Sequence, residues 1–120
     1  MSYDIFTAAE KNDIVRIKQL LASGTDVNAE DFDRSSTALH WACAKGNFQA
    51  MEVLIDAGAD VNKVNKNGRA SIHNLVSGRF DKLAVWLVKR GADPNLPDKK
   101  GFSAIDLALP FLQKDLRGGT

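Results

Sequence analysis

The sequence predicts an all-α solenoid, in which short helix-turn-helix pairs stack side by side and are joined by extended fingers built on β-turns. Three observations carry this reading. The segment Thr37-Ala38-Leu39-His40-Trp41-Ala42 returns as Ala70-Ser71-Ile72-His73-Asn74-Leu75 and again as Ser103-Ala104-Ile105-Asp106-Leu107-Ala108, with starts at 37, 70 and 103 that stand 33 residues apart. A second element, Gly24-Thr25-Asp26-Val27-Asn28, returns from Gly58 to Asn62 and from Gly91 to Asn95, at spacings of 34 and 33. Between these elements the apolar residues recur every three or four positions, the period of a helix face. A fixed period of this length marks stacked units, none of which can bury its apolar side alone. The one-residue difference between the two spacings places an insertion between Asn28 and Thr37.

Each unit reads in the same order. In the second, Thr37 is placed to cap a helix that turns Leu39, Ala42 and Cys43 inward. Gly46-Asn47 breaks this helix. A longer one follows over 48–57 with Met51, Leu54 and Ile55 inward, and Gly58 ends it in a left-handed conformation. The first unit starts at Asp4, with Ile5, Ala8 and Ala9 in the same frame. Its second helix, over 13–23, is expected to bury Ile14, Ile17, Leu20 and Leu21 and to expose Arg16, Lys18 and Gln19. The third unit's second helix, over 81–90, turns Leu83, Ala84, Leu87 and Val88 inward. In the last unit Ser103 and Asp106 have the spacing of a capping box. Pro110, lacking an amide donor, is expected to end or kink that helix, and residues 118–120 are expected to fray. The whole chain is read as one domain, 1–120, with units at about 1–33, 34–66, 67–99 and a truncated 100–120.

Composition narrows the functional classes. Sixteen basic residues against fifteen acidic ones give no field that would draw nucleic acid or an anionic membrane. The start of the chain lacks the basic and apolar regions of a secretory signal, and no run approaches membrane-span length. A single cysteine cannot form an internal disulfide. A cytoplasmic location is expected, with the nucleus as the other possibility.

These motifs closely resemble the ankyrin repeat over essentially the whole chain, giving three and a half to four repeats. The resemblance implies a non-enzymatic protein–protein interaction module, an adaptor or scaffold. The partner would be held by the finger tips and the concave face of the short helices. An ankyrin region that regulates or spaces a larger signalling enzyme is the alternative. The fingers are 29–36, 63–69 and 96–102. Gly68 and Gly101 match the family's turn glycine, whereas Ser35 takes that place in the finger with the insertion. His40 and His73 occupy a position that in the family ties finger to helix by hydrogen bonds. Neither has a cysteine or carboxylate at ligand spacing, so no metal, cofactor or catalytic set is expected.

Departures from the family pattern mark the candidate site. Trp41 and Asn74 stand where the family has leucine, Leu75 where it has alanine, and Ala70 where it has a capping hydroxyl. Trp86 is expected to stack on the next unit, leaving Val85 in a small apolar patch. Charge is segregated along the fingers: Glu30, Asp31 and Asp33 against Arg34 in the first; Lys63, Lys66 and Arg69 in the second; Lys99 and Lys100 against Asp98 in the third, followed by Phe102. The candidate partner-binding residues are therefore Arg34, Trp41, Lys45, Lys66, Asn67, Arg69, Asn74, Lys99, Lys100 and Phe102. The partner is expected to be a protein with an acidic surface, and the chain a monomer. The family resemblance also makes Asn62 and, less favourably, Asn28 candidates for asparaginyl hydroxylation, since each ends a Leu, five residues, Asp, apolar, Asn pattern.

Overall fold

A computed structural model of the chain describes residues 4–118. Among these residues there are eight helices and no strand. The helices are α1 Ile5–Glu10, α2 Ile14–Ala22, α3 Ala38–Lys45, α4 Phe48–Asp56, α5 Ser71–Ser77, α6 Asp81–Lys89, α7 Ala104–Leu107 and α8 Pro110–Leu116. The short helices α1, α3, α5 and α7 pack one on the next as an inner row, while α2 packs on α4 and α6 on α8 in an outer row. The result is elongated, 42 Å by 26 Å by 20 Å. Ends expected to fray at 119–120 lie outside the described residues.

Alanine and other small residues let the inner helices approach closely. Ala8, Ala9, Ala42, Cys43 and Ala104 are fully buried, and larger side chains, Leu39, Met51, Leu54, Ile72 and Leu87, fill the space between the rows. Leu75 is also fully buried, so the third unit accommodates the extra volume inside the core. Ile14, Leu20, Leu21, Ile55, Leu83 and Val88 pack against that core but stay half-buried, because the outer row has solvent on its far side. Lys18 and Gln19 are exposed as expected, whereas Arg16 is half-buried and Val15 is exposed, at 67%.

Capping follows the sequence. Asp4 accepts from the Thr7 amide at 2.9 Å, and Asp13 accepts from Arg16 at 3.1 Å. Thr37 and His40 form a reciprocal box: the Thr37 hydroxyl accepts the His40 amide at 3.4 Å, and His40 Nδ1 accepts the Thr37 amide at 3.0 Å. Ser103 and Asp106 form the expected box at 3.2 and 2.9 Å. In α5 only half of the box survives, since Ala70 donates to His73 Nδ1 at 3.0 Å but has no oxygen to offer in return.

Two local expectations are corrected. Pro110 neither ends nor kinks the helix before it. That helix, α7, has already stopped at Leu107, and Pro110 opens α8, where its missing amide would have had no partner. Trp86 stacks backward, on Phe48 of the preceding unit, with ring centroids 5.0 Å apart in an edge-on arrangement, and the Arg90 guanidinium covers its face at 4.8 Å. α4 and α6 approach less closely than their neighbours in the outer row, and this ring pair spans the space between them. Phe80 lies instead against the turns that end α3 and α5, its ring within 2.9 Å of where a Cβ would stand on Gly46 or Gly78.

Candidate functional site

Each finger is organised around one acceptor side chain. Asn65 Oδ1 receives the amides of Asn67 and Arg69 at 2.9 and 3.1 Å. Asp98 Oδ1 receives those of Lys100 and Phe102, both at 2.9 Å. Asp31 does the same one residue further out, receiving Arg34 at 2.9 Å and Ser36 at 3.2 Å. The inserted residue is therefore accommodated at the tip, within residues 32–34. Ser35 keeps the turn by adopting φ 57°, beside 72° for Gly68 and 88° for Gly101. Its left-handed backbone is uncommon for a residue with a Cβ. The side chain displayed at this enlarged tip is Phe32, fully solvent-exposed at 101%.

Neighbouring fingers are locked together. The Lys66 amide donates to the Arg34 carbonyl at 2.8 Å, and the Lys99 amide donates to Asn67 at 3.1 Å. The histidines add a second tie between units. With Nδ1 accepting a cap amide, Nε2 carries the proton and donates onward, His40 to the Arg69 carbonyl at 2.9 Å and His73 to Phe102 at 3.1 Å. Burial pushes the His40 pKa below its ordinary value, although its bond to Arg69 works the other way. A third tie runs through the turns: Asn28 Oδ1 accepts the Asp60 amide and Asn62 Oδ1 the Asp93 amide, both at 2.7 Å. Asn62 also donates to the Gly91 carbonyl at 3.0 Å. Both candidate hydroxylation sites thus already serve as half-buried inter-unit staples.

Between fingers one and two lies a cavity of about 150 Å³ on the concave face, lined by Arg34, Ser36, His40, Trp41, Ala44, Asn65, Asn67, Arg69 and Asn74. Five of the ten expected partner-binding residues meet here: Arg34, Trp41, Asn67, Arg69 and Asn74. Trp41 is half-buried, and its indole N–H donates to Asp31 Oδ2 at 2.9 Å, fixing the ring against the finger. Burial favours the neutral Asp31 acid, but the Arg34 amide, the Trp41 N–H and the Ser36 amide outweigh it and hold the carboxyl below its usual range. Asn74 donates to the His40 carbonyl at 3.2 Å. Asn67, Arg69, Asp98, Lys99 and Lys100 surround a second opening of about 330 Å³ between fingers two and three.

The remaining candidates are more dispersed. Lys45 and Lys66 are exposed but line neither cavity. Phe102 is 49% exposed while its backbone is held by Asp98 and His73.

The charge segregation read from sequence is partly cancelled. Lys63 pairs with Glu30 at 2.9 Å, which lowers the Glu30 pKa and raises that of Lys63, and Arg69 stands 4.0 Å from Asp98. Lys66, Lys99 and Lys100 are the finger lysines that make no ion pair among the described residues. Phe32 escaped the sequence reading; the 34-residue spacing that contains it was its only signal.

Among the described residues no three His, Cys, Asp or Glu side chains cluster to hold a metal. Burial pushes the Cys43 thiol up to about 12, leaving it in the protonated, unreactive form. Among the described residues no helix is long and apolar enough to cross a membrane.

A stack of helix pairs whose hydrogen-bonded fingers project beside the inner row defines a repeat solenoid. The family model for ankyrin repeats (3 copies) matches residues 5–98, and the chain belongs to the ankyrin-repeat family. Ankyrin repeats mediate protein–protein interaction and are themselves non-catalytic. Similar curated proteins include E3 ubiquitin-protein ligase hecd-1 of Caenorhabditis elegans, 36% identical over 107 residues that make up 87% of this chain and 4% of that protein. E3 ubiquitin-protein ligase KEG of Arabidopsis thaliana is 31% identical over 99 residues, 82% of this chain and 6% of the ligase. The nuclear factor NF-kappa-B p105 subunit of Gallus gallus is 36% identical over 86 residues, 71% of this chain and 9% of the subunit. The chain thus spans less than a tenth of each of these three relatives.

Proposed function

We propose that this chain is a non-enzymatic recognition module that holds a protein partner on its finger tips and concave face. One observation carries the reading: a fully exposed phenyl ring, Phe32, is displayed on a finger tip that is pinned by hydrogen bonds, beside a cavity lined by Trp41 and two arginines. Exposed aromatic and arginine side chains on a rigid frame are the residue types that dominate interfaces, and rigidity limits the entropy lost on binding. The partner is a protein with acidic groups opposite Lys66, Lys99 and Lys100, the chain acts as a monomer, and it works in the cytoplasm or nucleus. Neither nucleic acid nor a membrane is its target.

The test is a comparative pull-down from the native cell, with bound proteins identified by mass spectrometry. A protein retained by the wild type and lost by both Phe32→Ala and Lys66→Glu is expected. Proteins retained equally by all three would overturn the reading.

A second reading, that the chain regulates or spaces a larger signalling enzyme, is favoured by the relatives. These include ubiquitin ligases, an ADP-ribosylation factor GTPase-activating protein and palmitoyltransferases, of each of which the chain spans under a fifth. An immunoblot of the native polypeptide decides between them: a band near 13.1 kDa supports a free-standing module, and a much larger one a region of an enzyme.

Hydroxylation of Asn62, and of Asn28 less readily, is proposed as a modification that would need the turn to open, because each side chain is already bonded across the unit boundary. An added oxygen on the Asn62 peptide from native cells supports it; its absence where other ankyrin proteins are hydroxylated refutes it.

A further inference from the structure

We propose that the cavity between fingers one and two takes a single carboxylate-bearing side chain, aspartate or glutamate, from an extended segment of the partner. The inference rests on the proposed concave-face binding and assigns its chemistry. Size argues first. About 150 Å³ is well below the roughly 300 Å³ at which pockets for small organic ligands begin, and it suits one side chain of a peptide.

The lining argues next. Trp41 and Ala44 give an apolar side for a methylene stem, while Arg34, Asn67, Arg69 and Asn74 place N–H donors around the opening. Two carboxylates stand close by, and their oxygens are largely occupied. Asp31 Oδ1 holds the Arg34 and Ser36 amides and Oδ2 holds the Trp41 indole. Asp98 Oδ1 holds the Lys100 and Phe102 amides, and Oδ2 is 4.0 Å from Arg69. Arg69 also lines the cavity, but its guanidinium is already engaged, donating to the Ser77 hydroxyl at 2.7 Å. The Arg34 guanidinium makes no hydrogen bond or ion pair among the described residues; its charge acts on Asp31 only at longer range, and it is the cation left for an incoming anion.

Asn74 supplies a further donor on the helix side of the cavity. An amide on an inner helix facing a groove is costly unless it is bonded, and Asn74 spends one amide hydrogen on the His40 carbonyl, leaving the rest of its amide for a ligand. The leucine usual at this position would remove those groups and fill the cavity with methyls. The irregularity of the third repeat is thereby given a purpose on the binding face.

The experiment uses the intact chain and a phage-displayed library of random twelve-residue peptides. An enriched peptide is synthesised and its affinity measured by fluorescence anisotropy. The expected peptides share one Asp or Glu, whose replacement by Asn or Gln weakens binding about tenfold or more, the loss of a charge-assisted hydrogen bond. Arg34→Gln and Asn74→Leu should weaken it similarly, and Lys89→Gln on the outer row should leave it unchanged. Arg34 is exposed, so its variant separates ligand loss from misfolding. Enriched peptides that lack a shared acid, or tolerate its neutralisation, yet still respond to Asn74→Leu, would overturn the carboxylate assignment and leave concave-face binding standing. Peptides indifferent to Arg34 and Asn74 alike, or no enrichment at all, would overturn both.

Discussion

At the scale of single residues, His40 links acidity to stability. Its Nδ1 must accept and its Nε2 must donate, so protonation of Nδ1 breaks the contact with the Thr37 amide. Burial lowers its pKa in the folded chain relative to about 6.5 in the unfolded one. Just below that value the unfolded state binds the proton and the folded state does not, so stability falls as the pH drops. Above about 6.5 both states are neutral and the contribution is complete. Thermal melts should therefore show a falling midpoint from pH 7 to 5.5, before the carboxylates titrate, and NMR titration should place the His40 midpoint below that of a denatured control. A midpoint at or above the control would contradict this. A second residue-scale prediction concerns Ala70, whose backbone (φ −88°, ψ 170°) matches that of Thr37 (φ −90°, ψ 171°). Ala70→Thr should restore the missing cap and raise stability by about 1 kcal/mol in urea unfolding.

The residues also show where sequence was sufficient. Caps at Thr37 and Ser103 were legible because each sits before a helical apolar period, and a cap bonds only within three residues of itself, whereas Asp4 and Asp13 carried only the signal of a helix start. The pairing of Lys63 with Glu30 was not legible, since it depends on which finger tips lie side by side 33 residues apart. Phe32 was hidden for a related reason. A counted insertion does not say which side chain it leaves in solvent; the Asp31 hydrogen bonds decide that.

At the scale of elements, the third unit differs from the second in two ways that act together. Helix α5 has no side-chain N-cap, and α6 stands away from α4, with Phe48 and Trp86 meeting across the space between them. Because repeat arrays are held by nearest-neighbour interfaces, hydrogen exchange should be faster over 70–80 than over 37–46. Equal protection would mean that the aromatic filling fully compensates. The direction of Trp86 stacking could not be read from periodicity, because a period says that a side chain is inward and not which neighbour it meets. The fingers behave as a charged element. Lys66→Glu combined with Arg69→Glu should slow association with the captured partner and weaken its salt dependence, read by stopped-flow at low and high ionic strength.

For the whole molecule, the fold was legible because the repeat states the same local solution three times, and the surface was legible only in outline. A row of fingers and small-residue helices fixes a concave face, but the partner's chemistry depends on side chains that break the repeat: Phe32, Trp41 and Asn74. The most direct measurement is site-specific photocrosslinking in native extract, with a photoreactive phenylalanine placed at Phe32 and, separately, at Lys89 on the outer row. A discrete protein adduct is predicted from position 32, competed away by excess unmodified chain but not by the Lys66→Glu, Arg69→Glu variant, with none from position 89. Adducts from position 89 alone, or equally from both positions and insensitive to the finger variant, would contradict recognition through the finger tips and concave face.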